Sequence, residues 1–308
     1  MALKIGIHTG PQDASMEDLM KFWRRADEAG FYWISIWDHF YSNPLRERTR
    51  SCFEGVTSMA ALAAVTRRAR VGCNMFCTLY RHPSLLAKSA VTIDHISGGR
   101  AEIGIGGGWF QEEFEEFGFP FPPAKERLDH LEEALQIVRS LFQDESTTFH
   151  GKHYQVNGAV GGSPKPLQPR LPIWVGGKGP KRTPRIAAQY ADGYNIAYVS
   201  PHTFRNRLEV LDAACERFGR DPKSLRRSVT LGFYMGADAA GVKRAQAGLE
   251  RVSDRLSGTL QGLPAQAAER IAEYAEAGAD LLNLAMRPPI DWEAFEAFIA
   301  EVLPQFHR

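Results

Sequence analysis

Eight short apolar segments, each followed by an amphipathic stretch long enough for a helix, recur from one end of this 308-residue chain to the other. Nothing else in the sequence constrains the fold as much. Strands that each need a helix-length crossover before the next strand are parallel, and right-handed crossovers repeated eight times close a sheet on itself. Strands are predicted at 4–8, 33–37, 70–74, 101–105, 172–175, 193–197, 228–232 and 281–285. Helices are predicted at 16–30, 55–66, 84–97, 127–142, 182–191, 202–218, 265–277 and 291–302, where apolar residues such as Leu19, Phe22, Trp23 and Ala26 recur at helical spacing. Gly30 and Gly278 fall where helix C-caps are expected, and Ser84 follows Pro83 at a helix start. A doubly wound sheet would usually need fewer strands. The expected architecture is therefore α/β, one (β/α)8 TIM barrel domain over residues 1–308, with insertions after strands four and seven.

The first insertion, 144–170, has hairpin character: Thr147-Thr148-Phe149 and His153-Tyr154-Gln155-Val156 flank Gly151-Lys152. Its tail from Ser163 to Pro169 is too rich in proline for a helix or a central strand. The second, 237–262, is polar and helical in part.

Bulk properties exclude several classes. With 37 basic and 36 acidic residues the net charge is +1, which argues against nucleic-acid or membrane-surface partners. No apolar run approaches the roughly 18 residues of a membrane span, and the first residues read as a strand rather than a signal peptide. Cys52, Cys73, Cys77 and Cys215 show no CxxC spacing and no paired histidines nearby, so neither structural zinc nor a disulfide framework is expected, and reduced cytoplasmic thiols are.

In a barrel, chemistry sits at the C-terminal strand ends. Strand two ends in Trp37-Asp38-His39-Phe40-Tyr41. A histidine beside an acid there can move a proton near neutral pH; alternatively, Asp38 caps a turn and His39 packs in the rim. Strand three ends in Cys73-Asn74-Met75-Phe76, followed by Tyr80-Arg81-His82-Pro83. Strand four runs into Gly104, Gly106, Gly107 and Gly108, then Trp109-Phe110 and the acids Glu112, Glu113, Glu115 and Glu116. Glycines at a strand end let the backbone approach something flat or bulky. Their spacing is not that of the dinucleotide fingerprint. Of the acids, mostly a solvated helix face, Glu113 is the one expected to reach the pocket. Strand five ends in Gly176-Gly177-Lys178-Gly179-Pro180-Lys181-Arg182, where a glycine-rich helix entry with added cations suits an anion such as a cofactor phosphate; a plain helix entry is the alternative. Trp37, Phe40, Tyr41, Phe76, Trp109 and Phe110 would give the mouth an apolar character.

In combination and order, Trp37–Phe40, Tyr80–Pro83, the Gly-Gly-Gly-Trp-Phe run with Glu113 and Phe117–Pro120, and Pro166–Gly179 resemble the bacterial luciferase-like monooxygenase superfamily over nearly the whole chain. The resemblance implies a TIM barrel using FMN or the deazaflavin coenzyme F420, and the Asp-His-Phe end of strand two is similar to the F420-dependent branch. It implies His39 as acid/base with Asp38 beside it, and Glu113 as a second candidate catalytic acid. It further implies a ring slot formed by Asp38, Cys73, Asn74, Gly106, Gly107 and Gly108, with a non-prolyl cis peptide near Cys73-Asn74. A phosphate site at Gly176, Gly177, Lys178 and Gly179 would complete it, with Lys181, Arg182 and Arg185 meeting an acidic tail. The chain departs from sugar-phosphate members by carrying Trp109 where some place a glutamate. The expectation is an F420-dependent oxidoreductase acting on a small-molecule substrate, as a homodimer. The alternatives are an FMN monooxygenase and a non-catalytic flavin-binding barrel.

Overall fold

The computed structural model describes residues 3–42, 50–160, 164–250 and 257–306. In chain order its elements begin with β1 (Lys4–His8), α1 (Met16–Ala29), β2 (Trp33–Ile36), α2 (Gly55–Val65), β3 (Arg70–Cys77) and α3 (Pro83–Ser97). There follow β4 (Ala101–Gly106), a short α4 (Gln111–Glu116), α5 (Ala124–Gln143), the hairpin β5 (Thr147–His150) and β6 (Gln155–Ala159), β7 (Ile173–Gly176) and α6 (Arg182–Tyr190). The chain continues through β8 (Gly193–Ala197), α7 (Pro201–Arg217), β9 (Arg226–Met235), α8 (Ala239–Glu250), β10 (Thr259–Gly262), α9 (Pro264–Glu276), β11 (Leu281–Ala285) and α10 (Trp292–Ala297).

Eight of these strands pair in parallel in the cyclic order β9-β11-β1-β2-β3-β4-β7-β8, and the β8–β9 pairing closes the barrel. The expected (β/α)8 fold is the observed one. The β5–β6 hairpin lies between α5 and β7. β10 adds a short parallel neighbour to the far half of β9, Gly232–Met235; residues 251–256 of the polar stretch, and Ser163 of the proline-rich one, lie outside the described residues. Among the described residues no helix is long and apolar enough to cross a membrane.

Alternation along each strand explains the two surfaces of the sheet. Ile5, Ile7, Ile34, Ile36, Val71, Ile103, Ile105, Val175, Val229 and Leu282 join the core shared with the helices. The intervening positions point to the barrel axis and are mostly polar, glycine or tryptophan, with Leu281 packing on the tryptophans. Asn283 Nδ2 donates to Ser228 Oγ (3.0 Å), Ser228 Oγ to Asn195 Oδ1 (2.8 Å), Thr230 Oγ1 to the same oxygen (3.1 Å), and Asn74 Nδ2 to Thr230 Oγ1 (3.2 Å). Towards the N-terminal end of the barrel Trp33 and Trp174 stack at 5.2 Å. A Cβ on Gly72 or Gly193 would strike one of these two indoles. Beside them Glu102, buried, accepts from Arg226 (2.8 and 3.1 Å) and Trp174 Nε1 (2.5 Å) and pairs with Arg70.

Helix ends follow local chemistry. Ser15 caps α1, which stops at Gly30 with φ 90°. Helix α3 opens one residue earlier than predicted, because the His82 ring accepts from Ser84 N and Pro83 takes the first turn.

Candidate active site

A cavity of about 610 Å³ opens at the C-terminal ends of the strands, lined by His8, Trp37, His39, Asn74, Met75, Trp109, the turn Gly176–Gly179, Tyr198 and Arg287, among others. Strand β2 delivers His39 to one wall. Its Nδ1 lies 2.7 Å from Glu113 Oε2, and the two side chains are 13% and 0% exposed. Glu113 comes from α4 and sits behind the imidazole rather than in the cavity lining. Its Oε1 accepts from the Phe40 and Tyr41 N–H groups (2.8 and 2.9 Å), and its Oε2 also accepts from the Tyr80 hydroxyl (2.9 Å).

The Phe40 and Tyr41 N–H groups and the Tyr80 hydroxyl are three donors on its two oxygens, and the His39 ring nitrogen makes the fourth contact. Burial pushes the Tyr80 hydroxyl's pKa up, with Cys77 and Glu113 adding to it, so Tyr80 remains a donor. In the tautomer that donates Nδ1–H to Glu113, Nε2 is the nitrogen of His39 left to exchange a proton. Trp109 (5.6 Å) and Phe110 (6.0 Å) stand edge-on to the ring.

Asp38 lines the cavity too, with its carboxylate engaged by other partners than His39. Its carboxylate takes a bidentate pair from Arg81 (2.6 and 2.9 Å) and the Cys77 N–H (2.8 Å), bracing the end of β3 against β2. Cys73 is not part of the slot: one position from Asn74, it faces the helices and is fully buried in the core. Asn74 does line the cavity, and its buried Oδ1 has no partner among the described residues. The pairing of β3 with β4 is irregular between Cys73 and Phe76, and the cis peptide is Asn74–Met75, one bond beyond the expected place.

The glycines serve close packing within the protein as much as the approach of a ligand. Cβ atoms on Gly104 and Gly176 would lie 2.2 and 2.6 Å from Met75, and one on Gly106 would lie 3.3 Å from it. Gly108, at φ 74°, clears Phe114 and Cys77. Gly106, Gly107 and Gly108 still line the cavity, beside the turn Gly176–Gly179 on the neighbouring strand. That turn leads into α6, whose start has no side-chain cap, and Thr183 from its first turn reaches the cavity wall. Lys178 lies there too, its ammonium 5.8 Å from the Tyr198 ring. Arg182 and Arg185 are turned away: Arg182 pairs with Asp129 and Glu132, and Arg185 with Glu132, all from α5. They tie two helices together and are not free for an acidic tail. Phe40 packs with Tyr80, Phe117 and Phe119 behind the wall instead of at the mouth.

Among the lining residues that escape the motif reading are His8 and Arg287. His8 ends β1, where inspection of every strand end would have found it. Its Nδ1 meets Ser35 Oγ at 3.0 Å, and burial lowers its pKa to about 3, with Arg287 and His39 adding to the shift. It is a neutral, polar wall. Arg287, two residues past β11, donates to the Tyr198 hydroxyl (2.9 Å) and brings positive charge into the cavity. An isolated arginine in a Pro-rich loop carries no motif that marks it.

The profile of the luciferase-like monooxygenase family matches residues 2–255. The chain is 32% identical over 218 residues to a 5,10-methylenetetrahydromethanopterin reductase of Archaeoglobus fulgidus, a match covering 71% of this chain and 60% of the reductase's length. It is 25% identical to an F420-dependent glucose-6-phosphate dehydrogenase of Intrasporangium calvum, over 98% of both chains. Among solved structures, an F420-dependent secondary alcohol dehydrogenase in complex with an F420-acetone adduct superposes over the full length of both chains with a TM-score of 0.87 at 20% identity, which establishes a common fold.

Proposed function

This chain belongs to the luciferase-like monooxygenase family, and within it we propose a coenzyme F420-dependent oxidoreductase that moves a hydride between the deazaflavin C5 and a small organic substrate. The observation that carries the reading is the His39–Glu113 pair, 2.7 Å apart, with one member on the cavity wall and the other buried behind it. The names of the reductase, dehydrogenase and alcohol dehydrogenase relatives support the choice of cofactor.

The residues present fit such a group. The unpartnered Asn74 Oδ1 offers an acceptor to a polar ring edge. The uncapped start of α6, with Lys178 and Thr183, would hold a phosphate. When bound, F420 supplies the carbon that gives or takes the hydride.

Oxidation of an alcohol-type carbon releases one proton with each hydride, and reduction consumes one. His39 Nε2 is placed to take or return it. The imidazolium formed when it does so lies against the Glu113 carboxylate, which stabilises it and fixes the ring's orientation. Trp37, Phe76, Trp109 and Phe110 make the space near His39 apolar and favour an uncharged substrate. With Trp109 half exposed at the mouth, the sugar-phosphate reaction of the matching dehydrogenase is not the expected one.

Separate titrations with F420 and FMN test the proposal. F420 should bind and turn over, and His39→Ala should abolish turnover while leaving F420 binding intact. Tight FMN binding with no F420 binding overturns it in favour of a reduced-flavin monooxygenase. Turnover untouched by His39→Ala removes the proton role.

A further inference from the structure

Outside the active-site cavity, two histidines from different elements face one another. His130, on α5, and His153, in the turn between β5 and β6, have ring centroids 3.9 Å apart at an interplanar angle of 34°. His130 Nδ1 and His153 Nε2 are both buried, and neither has a hydrogen-bond partner among the described residues. Two orphaned ring nitrogens side by side are costly unless something binds both. Glu126, one helical turn before His130, completes the group: one potential ligand atom from each of the three residues lies within 4.8 Å of the other two.

We propose that Glu126, His130 and His153 form a site for a divalent first-row transition ion of the Zn2+ type, clamping the β5–β6 hairpin to α5. Two imidazoles and a carboxylate are an N,N,O donor set suited to such an ion, with water completing the coordination. The surroundings hold the donors in place. Glu133, one turn further along the same helix, accepts the N–H groups of Lys152 (2.8 Å), His153 (2.9 Å) and Tyr154 (3.0 Å), fixing the backbone that carries His153. Tyr154 packs edge-on against His130 at 5.2 Å. A Cβ on Gly151 would fall 2.3 Å from Glu133 Oε2, so the close turn depends on glycine there. The site uses none of the cysteines, and its two histidines are far enough apart in sequence to show no metal-ligand spacing.

The test is calorimetric titration of the untagged full-length chain with Zn2+, with Co2+ as a spectroscopic substitute. One Zn2+ per chain is expected, and bound Co2+ should show the visible bands of a low-coordinate nitrogen and oxygen site. His130→Ala and His153→Ala should each weaken binding by more than about tenfold. Turnover should be unchanged, because none of the three residues lines the cavity. Glu126→Gln, which preserves the ring stack, should also weaken binding if a histidine variant fails to fold. No Zn2+ uptake by the unmodified chain, or uptake that survives in every variant that folds, overturns the site.

Discussion

Glu113, fully buried, accepts hydrogen bonds from the Phe40 and Tyr41 N–H groups and the Tyr80 hydroxyl and meets the His39 ring at 2.7 Å. Glu113→Gln substitutes an amide that must point two hydrogens at donors. Its expected effect is a fall in kcat of about 10²-fold or more with little change in cofactor affinity, checked by steady-state kinetics beside a binding titration. His8 makes a separate prediction. Its pKa falls from 6.5 to about 3 on folding, so between those values the unfolded chain binds the extra proton. The stabilisation is complete above pH 6.5 and is lost as pH drops toward 3, at up to about 1.4 kcal/mol per pH unit. Urea unfolding at pH 7, 6 and 5 should show His8→Gln losing less stability than the parent; parallel losses would count against the buried, neutral His8. At this scale the sequence was only half legible. His39 stood out by its place at a strand end and Glu113 as the acid expected to reach the pocket, but that the two pair across 74 positions is a long-range contact no local pattern encodes. Asp38, adjacent to His39, was the more obvious partner; the Arg81 guanidinium had already engaged it.

Elements were easier to read than pairs. Most barrel strands alternate an aliphatic residue facing the helices with a glycine, polar residue or tryptophan facing the axis, and that period survives in sequence whatever the long-range contacts. The exact place of the irregular pairing at Asn74–Met75 was not readable, because it depends on what the Met75 side chain rests on. It rests on bare backbone. Gly176→Ala should cost about 1–3 kcal/mol through its clash with Met75, and that cost should shrink when Met75→Ala is already present. A double-mutant cycle from chemical denaturation measures the difference. Equal costs in both backgrounds would mean that the methionine is not what Gly176 accommodates.

The whole barrel separates stability from chemistry along its axis. Glu102, with Arg70, Arg226 and the Trp33–Trp174 stack, lies toward the N-terminal strand ends, whereas His39, Asn74 and Lys178 lie at the opposite end. Glu102→Gln leaves two arginines short of a counter-charge and should cost about 3–5 kcal/mol. Denaturant midpoints should therefore drop, while kcat and KM measured below the transition stay as they were. The inward and outward faces of the strands carry a further consequence, for the kinds of genetic change this scaffold can absorb. Inserting or deleting a single residue within a barrel strand would exchange the two faces beyond that point, turning isoleucines toward the axis and asparagines and histidines toward the helices. Variation among descendants of this chain should consist of substitutions at inward positions and length changes in connecting loops, with the strand lengths held constant.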